Sequence, residues 1–172
     1  MFKIEKRWGY FEFEITGIKE EYVFGEEEIS DSFIETRLYA SGMLAKTEII
    51  NSKFVRVDNA REIGEKLMNS IINEEFYQLN STDMRIYVIP PMYEVDINTS
   101  DGEAEVFKSE YGEKKPVITI AVKLDRDEEY EELYPNNEFI PNIQIQLEHR
   151  ESQMFVEYIN KRIDEVLRLS IN

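Results

Sequence analysis

Few side chains in this sequence are suited to covalent or metal chemistry. His149 is the one histidine, set between Glu148 and Arg150, and cysteine is absent. A hydrolase built on that ring needs a serine nucleophile and an orienting carboxylate beside it. No Gly-x-Ser-x-Gly elbow occurs, so His149 is expected to be exposed or ion-paired. Without cysteine there is no disulfide framework, no thiolate zinc site and no cysteine nucleophile. The seven glycines are scattered, and Gly64-Glu65-Lys66 lacks the earlier glycine and the following Ser/Thr of a phosphate-binding loop. Asp125-x-Asp127-x-Glu129 opens like a calcium loop but places Tyr130 where glycine is needed and Asn136 where glutamate is needed. Asp96-x-Asn98-x-Ser100 fails in the same way. No cofactor and no metal are expected. Pro90-Pro91-Met92-Tyr93 has the Pro-Pro-x-Tyr form of a WW-domain ligand. Its place between two expected strands favours a structural bend.

Carboxylates are what the chain has in excess. It holds 36 acidic against 20 basic side chains over 172 residues, a formal charge of -16. Residues 19–35 carry seven acids (Glu20, Glu21, Glu26, Glu27, Glu28, Asp31, Glu35) against Lys19. Residues 94–113 carry seven (Glu94, Asp96, Asp101, Glu103, Glu105, Glu110, Glu113) against Lys108, and residues 125–132 carry six against Arg126. Tyr22, Phe24, Tyr111, Tyr130 and Tyr134 lie in or beside these clusters. Acids that steer and aromatics that anchor can dock on a basic surface, whereas solubility alone also accounts for net charge. The residues expected to bind a partner are Asp125, Asp127, Glu128, Glu129, Glu131, Glu132, Tyr130 and Tyr134, with Glu26, Glu27 and Glu28.

The elements that would position them follow from periodicity. Phe11, Phe13 and Ile15 alternate with Glu12, Glu14 and Thr16, as in a half-buried strand. Phe2 and Ile4 begin a preceding strand; 33–40, 44–50 and 54–57 read as three more, with Asn51-Ser52 as a turn. A capping-box form at Asn59 and Glu62 opens a helix with Ile63, Leu67, Met68, Ile71, Ile72 and Phe76 on one stripe, ending near Asn80. Gly64 in its interior costs about 1 kcal/mol against alanine, which is either tolerated or explained by a close approach. Strands are expected at 84–89, with an edge or bulge at Pro90-Pro91, then at 93–97, 104–107, 117–124 and 142–147. A closing helix from Ser152 carries Phe155, Tyr158, Ile159, Ile163, Val166 and Leu167 inward.

These elements predict an α+β fold, mainly antiparallel sheet with two long amphipathic helices, in a single domain spanning 1–172. Residues 1–80 and 81–172 each read as strands followed by a helix, with no residue match between the halves. The N-terminus lacks the apolar run of a signal peptide, and no uncharged apolar stretch is long enough to span a bilayer, so a cytoplasmic protein without a membrane is expected. A basic nucleic-acid-binding run is also missing. The expected function is non-catalytic: an acidic domain of the inhibitor, immunity or anti-defence type, masking a basic, nucleic-acid-binding surface of a partner protein. The alternative is a small-ligand or peptide-binding module with a pocket between sheet and helices, lined by Phe11, Phe13, Tyr39 and Tyr87. A homo-oligomer could form through the 83–107 strands across a twofold axis.

Overall fold

The structure, a computed structural model, describes residues 1–7, 9–22, 29–42, 46–97, 104–123 and 142–169. Four strands come first: β1 (Phe2–Lys6), β2 (Gly9–Tyr22), β3 (Ile29–Ser41) and β4 (Lys46–Arg56), hydrogen-bonded in the order β1-β2-β3-β4, all antiparallel. A 3-10 turn (Val57–Asn59) leads into helix α1 (Ala60–Asn73). A second four-stranded sheet follows from β5 (Tyr77–Asn80), β6 (Met84–Ile89), β9 (Val117–Lys123) and β10 (Asn142–Leu147), in the order β10-β9-β6-β5. Between β6 and β9 the chain inserts a separate two-stranded hairpin, β7 (Tyr93–Asp96) and β8 (Glu105–Lys108). Helix α2 (His149–Leu169) closes the chain. Each four-stranded sheet is thus a meander followed by a helix, and among the described residues the hairpin interrupts the second meander.

Alternation decides which sheet face is inward. In the first sheet the cross-strand row Phe2–Phe13–Leu38–Ile49 and the row Ile4–Phe11–Ala40–Thr47 point to the core. In the second sheet the rows Leu79–Ile86–Ile120–Ile145 and Val88–Ile118–Leu147 do the same. One continuous apolar cluster joins both sheets to Leu67 and Ile71 of α1 and to Phe155, Ile159 and Ile163 of α2. Burying each such side chain contributes about 1.5–3 kcal/mol. Aromatic rings tie helix to sheet: the Phe155 ring lies 4.9 Å from Phe2 and 5.5 Å from Phe13, and Phe13 lies 5.3 Å from Phe54. Helix α2 packs on β2 of the first sheet and on β9 and β10 of the second, while α1 packs on α2, β5 and β6.

Helix α2 also completes the hydrogen bonding of β2. Strand β1 pairs only with Gly9–Phe13, so β2 loses its neighbour on that side before Ile15. There the Ile15 N–H donates to Tyr158 Oη at 3.1 Å, and Arg162 Nη2 donates to the Ile15 carbonyl at 3.2 Å. At the start of α2, the fully buried Ser152 Oγ accepts from the Ile118 N–H at 2.9 Å and donates to the Leu147 carbonyl at 3.1 Å. That hydroxyl stitches helix to sheet. Gly64 has a definite reason as well. A Cβ there would sit 1.9 Å from Oδ1 of Asn160, so it is a side chain of α2 that approaches α1 closely.

Several expectations need correction. The helices are unequal: α1 has 14 residues after its 3-10 turn and α2 has 21, so only one is long. Asn59 makes no side-chain cap, because the 3-10 turn already holds it in a helical conformation. Helix α1 stops at Asn73, where Glu74 adopts a left-handed φ of 58°. Phe76 therefore lies outside the helix, Ile72 is 67% exposed, and 77–80 forms a strand the sequence did not suggest. Asn51-Ser52 is no turn; β4 runs through it with Asn51 at φ 60° and local register shifts against β3. The acidic stretch after Ile15 is largely strand, since β2 extends to Tyr22 and β3 starts at Ile29. Strand β6 is interior, and Pro90-Pro91 follow its end in a turn that Met92 completes at φ 63°.

Candidate functional site

The residues expected to bind a partner, Asp125, Asp127, Glu128, Glu129, Tyr130, Glu131, Glu132 and Tyr134 together with Glu26, Glu27 and Glu28, all lie outside the described residues. The cluster at 94–113 is largely described, and it falls on the inserted hairpin. Glu94 and Asp96 are on β7, Glu105 is on β8, and Glu110 and Glu113 lie in the turn that leads to β9. Lys108 is the one base of that span. Three aromatic rings stand among these acids with their surfaces open: Tyr93 at 38%, Phe107 at 45% and Tyr111 at 93% exposure.

The hairpin is built onto the outward face of the second sheet. That face carries Tyr87, Ile89, Val117 and Ala121, which with Ile97, Val95 and Ala104 form a second, smaller apolar cluster. Hydrogen bonds then fix the turn against the hairpin. The Met92 N–H donates to the Glu113 carbonyl at 2.7 Å, and the Ser109 N–H donates to the Met92 carbonyl at 2.8 Å. Ser109 Oγ donates to Glu94 Oε1 at 2.7 Å and accepts from the Tyr111 N–H at 3.1 Å. Gly112 is required by closeness: a Cβ there would stand 2.7 Å from the main-chain carbon of Met92.

Between hairpin, turn and sheet lies a cavity of about 390 Å³. Ile89, Val95 and Val117 line it with apolar surface, Thr119, Gln144 and Gln146 of the sheet and Glu94 and Glu113 with polar groups, and Tyr93, Tyr111 and Gly112 complete the lining. The volume falls in the range of ligand pockets, about 300–1,000 Å³. Tyr87 is fully buried beside this region, in the cross-strand row with Thr119 and Gln146, and its hydroxyl has no hydrogen-bond partner among the described residues. A buried orphan hydroxyl costs about 1–3 kcal/mol. The sequence singled out Glu94, Glu113 and Tyr111, but it drew no attention to Thr119, Gln144 or Gln146. The signal for Gln144 and Gln146 is their alternation with Ile143, Ile145 and Leu147 along β10, whereas Thr119 stands alone in the apolar run of β9.

The other charged face is different in kind. On the outer side of the first sheet the row Lys3–Glu12–Tyr39–Glu48 lies beside Tyr10, Glu14 and Arg37. Lys3 Nζ meets Glu12 Oε2 at 2.9 Å, Tyr10 Oη donates to the same carboxylate at 2.5 Å, and Arg37 pairs with Glu48 at 2.5 Å. The Tyr10 hydrogen bond, then that of Lys3, holds the Glu12 carboxyl below its ordinary range. The same contact raises the Tyr10 hydroxyl, and Glu48 raises Arg37. Two of these three acids, Glu12 and Glu48, are matched by bases, so this face presents less net field to a cation than the hairpin does.

Elsewhere, His149 is half-buried, and its Nδ1–H donates to the Pro116 carbonyl at 2.7 Å. A main-chain carbonyl accepts only, so the ring must carry its proton on that nitrogen. Phe11 and Phe13 are fully buried in the core between sheet and helices, while Tyr39 lies on the opposite face of its sheet and Tyr87 under the hairpin. Among the described residues no group of three or more His, Asp or Glu could hold a metal ion, and no helix is long and apolar enough to cross a membrane. A scan of the chain against protein-family models finds no match, and no curated protein or solved structure is significantly similar to it.

Proposed function

We propose that this chain is a non-catalytic protein-binding domain that occupies a basic surface of a partner protein, in the manner of an inhibitor or immunity factor. The observation that carries it is the β7–β8 hairpin, which interrupts the second of the two meanders to display Glu105, Glu110 and Glu113 among Tyr93, Phe107 and Tyr111. An insertion of this kind adds nothing to the main core, whose cluster omits the hairpin entirely. Carboxylates there bring a basic partner in quickly, and the exposed rings supply the desolvated anchors that hold it. A basic surface that binds nucleic acid has the charge this hairpin would mask, and a cytoplasmic partner suits a chain without cysteine.

The test is capture from the host lysate at low salt with the native chain and two variants. One variant combines Glu105→Gln, Glu110→Gln, Glu113→Gln and Tyr111→Ala. The other combines Glu5→Gln and Glu14→Gln on the first sheet. The native chain and the first-sheet variant should retain the same basic protein and release it in a salt gradient, and the hairpin variant should not. Equal retention by the hairpin variant, or release independent of salt, refutes the proposal.

A further inference from the structure

We propose that the cavity beneath the β7–β8 hairpin receives a single arginine side chain of the partner. This deepens the function proposed above and rests on it for the source of that arginine. Among the described lining residues the charged ones are Glu94 and Glu113, with no Lys, Arg or His. A cation therefore enters without displacing one of the protein's own. Glu94 is oriented by Ser109 Oγ, and Glu113 is held through its main chain by Met92, so both carboxylates stand on fixed backbone. Such prior ordering lowers the entropic cost of binding.

Shape and chemistry together select arginine over lysine. A methylene stem lying along the cavity can pack on Ile89, Val95 and Val117 while its charged head turns to Glu94 and Glu113. The walls offer carbonyl and hydroxyl oxygens from Gln144, Gln146 and Thr119 in addition to the carboxylates, enough acceptors for the five N–H donors of a guanidinium. A planar guanidinium also stacks on a tyrosine ring, as Tyr93 and Tyr111 at the rim permit, whereas an ammonium is a strongly hydrated point charge. The fully buried Tyr87 hydroxyl, in the cross-strand row with Thr119 and Gln146, has no hydrogen-bond partner among the described residues.

The probe is N-acetyl-L-arginine methylamide, titrated into the full chain while backbone and side-chain amide resonances are followed by NMR. The lysine and citrulline counterparts serve as comparisons, citrulline being the neutral isostere. The arginine probe should give saturable shifts centred on Gly112, Thr119, Gln144 and Gln146, with the lysine probe weaker by about tenfold and citrulline inactive. Gln144→Lys and, separately, Glu113→Lys should abolish the shifts while the α1 and α2 resonances stay in place, which shows that the fold survives. No saturable shift at those four residues, or equal binding of citrulline and arginine, overturns the inference. Capture of the basic partner without arginine binding sinks this inference alone; arginine binding without capture sinks the function proposed above alone.

Discussion

Replacing Gly64 by alanine sets two known effects against each other. In an open helix the exchange stabilises by about 1 kcal/mol, because glycine pays more backbone entropy. Here the new methyl would stand 1.9 Å from Oδ1 and 3.1 Å from Cγ of Asn160. Swapping the amide oxygen and nitrogen cannot relieve this, since the nitrogen would take the place of the oxygen; the side chain must change χ1 or α2 must shift. Overpacking of that kind costs about 1–3 kcal/mol. Gly64→Ala alone should therefore be neutral to destabilising by about 2 kcal/mol. Adding Asn160→Ala removes the obstacle, so the double variant should be about 1 kcal/mol more stable than Asn160→Ala alone. The coupling between the two sites is then about 1–3 kcal/mol, read from urea melts of the four proteins. Additive effects, with Gly64→Ala stabilising by itself, would mean that α1 and α2 do not cross at this pair.

Three further outcomes test the packing. Ser152→Ala leaves the buried Ile118 N–H without its partner and should cost about 1–3 kcal/mol, a fall of about 2–4 °C in Tm for each kcal/mol. Tyr158→Phe removes the hydroxyl that Ile15 donates to, and should cost about 1 kcal/mol at neutral pH. Burial raises the Tyr158 hydroxyl above the ordinary tyrosine value, so its contribution is complete below that value and lost as pH rises through the folded one. The native chain should then lose stability in alkali more steeply than Tyr158→Phe, and parallel curves would contradict the assignment. Ile71→Asp and Ile163→Asp each place a carboxylate in the core and should unfold the chain, as circular dichroism would show; a cooperative melt from either would mean the helix faces are wrong.

Most strands and the inward face of α2 were legible because their periodicity is strict: Phe11-x-Phe13-x-Ile15 and Ile143-x-Ile145-x-Leu147 have few other ways to fold. The errors arose where backbone conformation contradicts residue type. Asn51 and Glu74 take left-handed φ values in a strand and at a helix end, and no glycine announces either. Ile72 and Phe76 extend the apolar stripe of α1 in sequence, but the left-handed Glu74 ends the helix before Phe76. Composition revealed acids and tyrosines clustered at 94–113, yet not that the segment is an insertion lying over another sheet face. That depends on β6 pairing with β9 across the whole hairpin, a long-range contact without local signature. Gln144 and Gln146 reach the cavity for the same reason.

In the function proposed above, charge on the inserted hairpin drives occupation of a basic partner. Its most direct test is the association rate with the captured partner, measured by stopped flow across a series of salt concentrations. The rate should fall by about tenfold or more between low and high salt, with dissociation little changed, and the hairpin variant should lose that dependence. An association rate indifferent to salt, or one that keeps its full dependence after Glu105, Glu110 and Glu113 are neutralised, would contradict it.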